Sequence, residues 1–324
     1  MSRGYNLAWV CRYFFQEFLR TYPLFRKTVQ VPSNLAVADI VAYLTKHAGI
    51  TDLTGELTKW QAPDYPIAAG GQGQVYCASR SDGALFAIKC INSHTDEKYG
   101  KHTAQELSTW AKLKNPKILE LSGLGMFRGR LAMISPWMEG GSVKNVLKAN
   151  PSMDAYAVCE QLAEVVRFLH DLNVVHGDIK GDNLLMGPDG NIKLTDFGLS
   201  VMHDKTLQFS STELGGGGTL RWMEKLYLDG AERTKEADIY AVGMTMLELI
   251  TGKIPFAEIT NSVPVIKVVL HEKRTPDISD LAKEPISPRA YIMIGAMHRC
   301  WRYDPKERIE AKELVKLLDV MGKV

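Results

Sequence analysis

Residues 175–183 read Val175-His176-Gly177-Asp178-Ile179-Lys180-Gly181-Asp182-Asn183, and Asp196-Phe197-Gly198 follows shortly after. Together they bring Asp178, Lys180, Asn183 and Asp196 within about twenty residues of chain: a candidate base, a cation and two hard-oxygen metal ligands, the set that phosphoryl transfer needs. Singly, none of the four is informative, because Asp and Asn in glycine-containing loops usually make turns. Their conjunction, with a different chemical role for each, is the constraint. Asp182 and Asp189 read as solvated or turn-forming carboxylates.

Around these stretches the chain divides into two textures. Tyr65–Ile67, Gln74–Ser79 and Leu85–Ile91 read as strands, with turn signals at Gly70-Gly71 and Ser81-Asp82-Gly83; Leu119–Leu124 and Leu131–Ile134 read as further strands. Lys101–Leu113 reads as a helix, ended by Asn115-Pro116. The second half is mainly helical. Pro151–Asn173 carries Val158, Leu162, Val165, Val166 and Leu169 at helical spacing, Lys235–Thr251 stops at Gly252, and Glu310–Met321 closes the chain. The expected class is α+β: a small β-rich lobe, then a larger helical one, with a seam near Ser135–Gly141.

Residues 1–60 predict a helical extension. Leu7, Cys11, Phe14 or Phe15, Phe18 and Tyr22 recur at helical spacing up to Pro23. Val37–His47 predicts a second helix, with Ser33 or Asn34 as its cap and Gly49 as its stop. Two readings stay open: an extension packed on the neighbouring domain, and a separate partner-binding module.

The motifs resemble those of the eukaryotic protein kinase family over about residues 60–320. H-x-D-x-K-x-x-x-N with D-F-G is similar to its catalytic loop and metal-binding turn. Gly70, Gly73 and Val75 match the loop G-x-G-x-x-G-x-V, with Ala68 at the first glycine and Gln72 where an aromatic is usual. Ala87-Ile88-Lys89 matches V-A-I-K, with Phe86 in the Val position. Asp238 to Gly243 resembles the D-x-x-x-x-G of the central helix. Cys300-Trp301, Asp304-Pro305 and Arg308 resemble the C-W-x-x-D-P-x-x-R signature of the tyrosine-kinase-like group.

The resemblance implies a bilobal protein kinase fold: an N-lobe at about 61–135, a hinge at 136–141 and a C-lobe at 142–324. It implies ATP and Mg2+ as cofactors and transfer of the γ-phosphate to protein hydroxyls in intracellular signalling. Asp178 would be the base and Lys180 would neutralise the transferring group. Asn183 and Asp196 would hold Mg2+. Lys89, paired with Glu106 in preference to Glu97, would hold the α- and β-phosphates beneath Gly70 and Gly73. Val75, Ala87 and Leu185 would sandwich the adenine, the Pro136 carbonyl and Met138 N–H would bond its edge, and Ser135 would gate the space behind it. Lys180 and Thr219 follow the Ser/Thr pattern, while Gly218-Thr219-Leu220-Arg221-Trp222-Met223 has a tyrosine-kinase-like flavour. The expectation is a Ser/Thr kinase of the tyrosine-kinase-like group. The alternatives are a pseudokinase that binds nucleotide or partners and signals by conformation, and a small-molecule phosphotransferase.

Two departures carry weight beside Ala68. Gly177 stands where the family has an arginine that receives a phosphate on the activation segment. The expectation is a kinase indifferent to phosphate at Ser210, Ser211, Thr212 or Thr219. Counting back from Asp238 puts Leu226 at the glutamate that normally pairs with the arginine matched by Arg308. Either Glu224 serves with a shift of two residues, or Arg308 lacks its partner.

Composition excludes several classes. A net charge of +2 gives no bulk attraction to nucleic acid or membrane surfaces, and no run reaches the roughly 18 apolar residues of a membrane span. Arg12, Gln16, Glu17 and Arg20 interrupt the aromatic N-terminal stretch, so no signal peptide is expected, and Ser2 excludes N-myristoylation. Cys11, Cys77, Cys90, Cys159 and Cys300 show no C-x-x-C spacing. That points to a reducing, cytoplasmic setting without disulfides or zinc.

Overall fold

The computed structural model describes residues 39–323 apart from 71–72, 92–96, 198–200, 203–218, 225–232 and 283–284, with backbone alone at 70, 97–102, 105–106, 201–202, 219 and 323. The expected helix Leu7–Tyr22 lies outside the described residues.

The small lobe is a five-stranded antiparallel sheet. Its strands are β1 (Ala68–Gly70), β2 (Gly73–Ser79), β3 (Leu85–Cys90), β4 (Gly123–Phe127) and β5 (Arg130–Pro136), in the order β1-β2-β3-β5-β4. Period-two alternation sorts its two faces. Tyr76, Ala78, Ile88, Cys90, Ala132 and Ile134 are buried together on one face. Val75, Cys77, Ala87 and Lys89 are only half-buried on the other, which turns toward the large lobe.

Two strands differ from expectation. The first is Ala68–Gly70, not Tyr65–Ile67. Pro66 cannot donate to a ladder and Tyr65 is 84% exposed, although Ile67 N–H does reach Val75 O at 2.9 Å. The fourth begins at Gly123, not Leu119. Leu119 is committed elsewhere: its N–H donates to Leu194 O (2.9 Å) and its carbonyl accepts from Trp110 Nε1 (2.7 Å). Arg128 (φ 52°) and Gly129 (φ 74°) then turn β4 into β5, the left-handed pair that a two-residue hairpin requires.

Helix α1 (Ile40–Ala48) stops at Gly49, whose φ of 68° is left-handed as expected of a C-cap glycine. Its described span begins at Ile40 with Asp39 at the N-cap; the expected start at Val37 and the expected caps Ser33 or Asn34 lie outside the described residues. Ile40, Val41 and Leu44 are buried, and α1 packs on helix α3 (Glu97–Lys112). A single turn, α2 (Thr54–Leu57), lies between α1 and β1 and contacts β4.

The large lobe contains α4 (Val143–Ala149), α5 (Ala155–Asp171), α6 (Lys235–Thr251), α7 (Val263–Leu270), α8 (Pro288–Cys300) and α9 (Ala311–Leu318), with the short strands β6 (Val174–Val175), β7 (Leu184–Met186), β8 (Ile192–Leu194) and β9 (Val201–Met202). The Asp154 carboxylate caps α5 through the N–H groups of Tyr156 and Ala157, a bond worth about 1 kcal/mol. Helix α6 is buried without a break from Asp238 to Leu249, so it is a central post and not a surface helix. Among the described residues, no helix is long and apolar enough to cross a membrane.

Candidate active site

The loop after β6 hangs from the first turn of α6. His176 N–H donates to Asp238 Oδ2 and Gly177 N–H to Oδ1, both at 2.8 Å, and His170 Nε2 lies 3.0 Å from Oδ2. Asp238 is fully buried. Burial works to raise its pKa, but His170 and the backbone donors outweigh it and hold the carboxyl below its ordinary value. Gly177 has φ 81°, a left-handed backbone that a side chain would strain by roughly 1–2 kcal/mol. The glycine thus suits the conformation that delivers its N–H to Asp238.

That anchor orients Asp178. Its Oδ2 accepts from Lys180 Nζ (2.8 Å) and Asn183 Nδ2 (2.9 Å), while Oδ1 is buried and accepts no hydrogen bond among the described residues. Asn183 Nδ2 also donates to the Asp178 carbonyl at 2.8 Å. Two acceptors on one side fix the amide orientation, so Asn183 Oδ1 faces away from Asp178. Thr195 N–H bonds the Asn183 carbonyl at 2.9 Å, which ties this loop to the residue before Asp196.

Asp196 has φ 67°, uncommon outside glycine, and its Oδ1 accepts from Lys89 Nζ at 2.7 Å. Burial favours the neutral acid, but the Lys89 charge and hydrogen bond prevail and keep the pKa below its usual range. Phe197 locks the turn from beneath, with its ring centroid 5.0 Å from that of His176 and 5.9 Å from that of Trp110. Lys89 therefore meets Asp196 across the lobes. The Glu106 side chain, expected as its partner, lies outside the described residues. Asn183 Oδ1 and the Asp196 carboxylate are hard oxygen donors, a set that fits a divalent cation such as Mg2+.

Of the expected nucleotide residues, Val75, Ala87, Lys89 and Ser135 share the large-lobe-facing side of the sheet. Val75 is in register with Lys89, and Ala87 with both Cys77 and Ser135. Gly70 pairs with Gly73, and residues 71–72 between them lie outside the described residues. Gly73 has a structural need of its own, because a Cβ there would sit 2.1 Å from Cys90 O. Pro136 ends β5 opposite Phe86. The Met138 carbonyl accepts from Gly141 N–H (3.0 Å), and Leu185 bridges Ser142 directly below that turn.

Two buried arginines pin the segment 219–224. Arg221 Nη1 donates to the Pro255 and Phe256 carbonyls and Nη2 to those of Ile259 and Thr260, at 2.5–3.3 Å. Arg308 Nη2 meets Glu224 Oε2 at 2.9 Å with both side chains essentially unexposed, while Nε and Nη1 take the Arg302 and Glu236 carbonyls. Arg308 thus has Glu224 as its partner, two residues before the position occupied by Leu226. Sequence reasoning missed three supports: His170, Arg221 and Glu248. Glu248 Oε2 accepts from Gly181 N–H at 2.9 Å, and a Cβ on Gly181 would lie 2.7 Å from that oxygen. Burial raises the Glu248 pKa, and Gly181 only partly offsets it.

Fold and site together define the architecture of a two-lobed phosphotransferase. A family model described as protein kinase domain matches residues 64–317, and the chain belongs to the protein kinase family. It is 30% identical over 260 residues to mitogen-activated protein kinase kinase 2 of Arabidopsis thaliana, a match that covers 77% of this chain and 69% of that protein. It is 28% identical over 268 residues to a probable LRR receptor-like serine/threonine-protein kinase of the same plant (78% of this chain, 26% of the relative). It is 27% identical over 269 residues to mitogen-activated protein kinase kinase kinase A of Dictyostelium discoideum (80% and 27%). The chain thus spans about a quarter of the length of two of these three relatives.

Proposed function

We propose that this chain is an ATP-dependent protein kinase that transfers the γ-phosphate to serine or threonine hydroxyls of proteins. The observation that carries this reading is Asp178, with one oxygen held by Lys180 and Asn183 and the other buried without a hydrogen-bond partner among the described residues. A substrate hydroxyl at Oδ1 gives its proton to Asp178 as its oxygen bonds the γ-phosphorus; the bond from that phosphorus to the bridging oxygen breaks, and ADP leaves. Lys180, hydrogen-bonded to the base, offsets charge on the transferring group, and Lys89 holds the α- and β-phosphates. Asn183 and Asp196 would hold Mg2+, which when bound supplies charge neutralisation to the phosphates.

Lys180 at two residues past the base, together with relatives named as serine/threonine kinases, supports that specificity; the Cys300 to Arg308 signature supports the tyrosine-kinase-like group. Free thiols at Cys77, Cys90, Cys159 and Cys300 support a reducing, cytoplasmic setting. With Gly177 in place of the phosphate-reading arginine, activity is independent of activation-segment phosphate.

Radiolabelled γ-phosphate transfer to a generic protein substrate tests this reading against Asp178→Ala and Lys89→Met. A base of this kind contributes about 10²–10⁴-fold, so Asp178→Ala loses transfer while nucleotide binding persists. Acid hydrolysis of the product separates phosphoserine and phosphothreonine from phosphotyrosine. Wild-type binding of ATP without transfer would make the chain a pseudokinase. Loss of activity on phosphatase treatment, reproduced by alanine at Ser210, Ser211, Thr212 and Thr219, would overturn the phosphate independence.

A further inference from the structure

Residues 40–60 precede the part of the chain that the kinase family model matches, yet they are built into its small lobe. Leu53 N–H donates to Leu124 O (2.7 Å), Leu124 N–H donates to Thr51 O (2.9 Å), and Asp52 bridges Leu124 in parallel. The outer edge of β4 is therefore covered by the extension. Strand β4 is shaped for it. A Cβ on Gly123 would lie 2.7 Å from Thr51 O, and one on Gly125 would lie 2.8 Å from Leu57 Cδ1. Met126 N–H bonds Thr54 Oγ1 at 3.0 Å.

The register carries this contact to the cleft. Asp52 pairs with Leu124, Leu124 with Met133, Met133 with Lys89, Lys89 with Val75, and Val75 with Ala68. One transverse row thus runs from the extension through the lysine to the start of the glycine-rich turn. Independently, α1 packs on α3 through a core that contains Ile40, Leu44 and Leu107, the neighbour of Glu106.

We propose that residues 40–60 are a positioning strap for the phosphate-handling side of the cleft. They fix the strand row that carries Lys89 and brace α3, and so set the separation of that row and that helix. Close-packed interiors transmit such a constraint because neighbouring elements cannot give independently. The inference rests on Lys89 acting on the phosphates of ATP.

The test uses the full chain with Leu44→Ala, which loosens α1 on α3, and Thr54→Val, which strips Met126 N–H of its acceptor and keeps the side-chain shape. Rates are measured against ATP and against protein substrate separately, with Lys89→Met as the control. Contacting residues couple strongly enough that kcat/KM for ATP should fall about tenfold, while KM for the protein substrate stays within about twofold. Hydrogen exchange should rise in α3 and β3 and stay unchanged in α6. Leu44→Met, close in volume, should restore the ATP parameters. Wild-type ATP kinetics in both variants would overturn the strap, as would equal losses toward ATP and protein substrate with exchange raised in both lobes. Should Leu44→Ala fail to fold, Thr54→Val decides. A fully active Lys89→Met would overturn the reading of the lysine, and the strap with it.

Discussion

The catalytic loop and residues 219–224 both hang on the large-lobe core around α6, but by opposite means. The loop is held by its backbone: the N–H groups of His176 and Gly177 reach Asp238 at one end of the helix, and Gly181 N–H reaches Glu248 near the other. Residues 219–224 are held by side chains, Arg221 reaching four carbonyls and Glu224 reaching Arg308. A backbone anchor uses none of the Asp178, Lys180 and Asn183 side chains and fixes register to the residue. A long guanidinium tolerates a change of register, which is how Glu224 serves at a place two residues removed.

The sharpest way to break this contrast is Arg308→Met. It leaves the Glu224 carboxylate buried without its cation, which costs about 3–5 kcal/mol and shows as a lowered denaturation midpoint. Adding Glu224→Gln should recover part of that loss; a single-variant cost below about 1 kcal/mol would show that the pair is no anchor. Asp238→Asn comes next. Hydrogen bonds to a charged acceptor are worth about 1.5–3 kcal/mol, and because the loop carries Asp178, kcat should fall while KM for ATP holds. Gly177→Ala follows, at roughly 1–2 kcal/mol for the left-handed backbone, and Gly177→Asn should cost less because asparagine tolerates that region.

The smallest effect is one of pH. Asp196 and Asp238 have lowered pKa values in the folded state. Their stabilisation is present above the unfolded carboxylate value of about 4 and is lost as pH falls through the folded values. The raised pKa of Glu248 has the opposite sign: its contribution is largest below the unfolded value and is lost as pH rises through the folded one. Relative to wild type, Glu248→Gln, which keeps an acceptor for Gly181, should gain stability as pH rises above about 4, whereas the loss from Asp196→Asn should be full above about pH 4 and shrink as pH falls below it. Melting temperatures from about pH 2 to pH 7 read the two dependences, and a shared pH window for both would count against the assignment.

The grouping of Lys89 with Asp196 and of Asn183 with Asp178 was legible in the sequence because these residues stand at fixed motif spacing. The α5 span was legible from its long apolar periodicity, and the α6 span from a strongly apolar run stopped by Gly252. Short strands were not, since Leu119 and Pro66 are governed by partners and a missing donor that periodicity does not register. His170 and Glu248 escaped because each acts on a group far along the chain, His170 on the Asp238 carboxylate and Glu248 on the Gly181 N–H. The partner of Arg308 needed the fold to choose between Glu224 and residue 226.

Ser135 and Ala87 face one another across β5 and β3 on the side turned to the large lobe. Both side chains are small, a hydroxymethyl beside a methyl. On the proposed reading of Ser135 as the gate to the space behind adenine, a nucleotide-competitive compound with an extra ring directed at this point should bind the wild-type chain and lose affinity on Ser135→Phe, with KM for ATP almost unchanged.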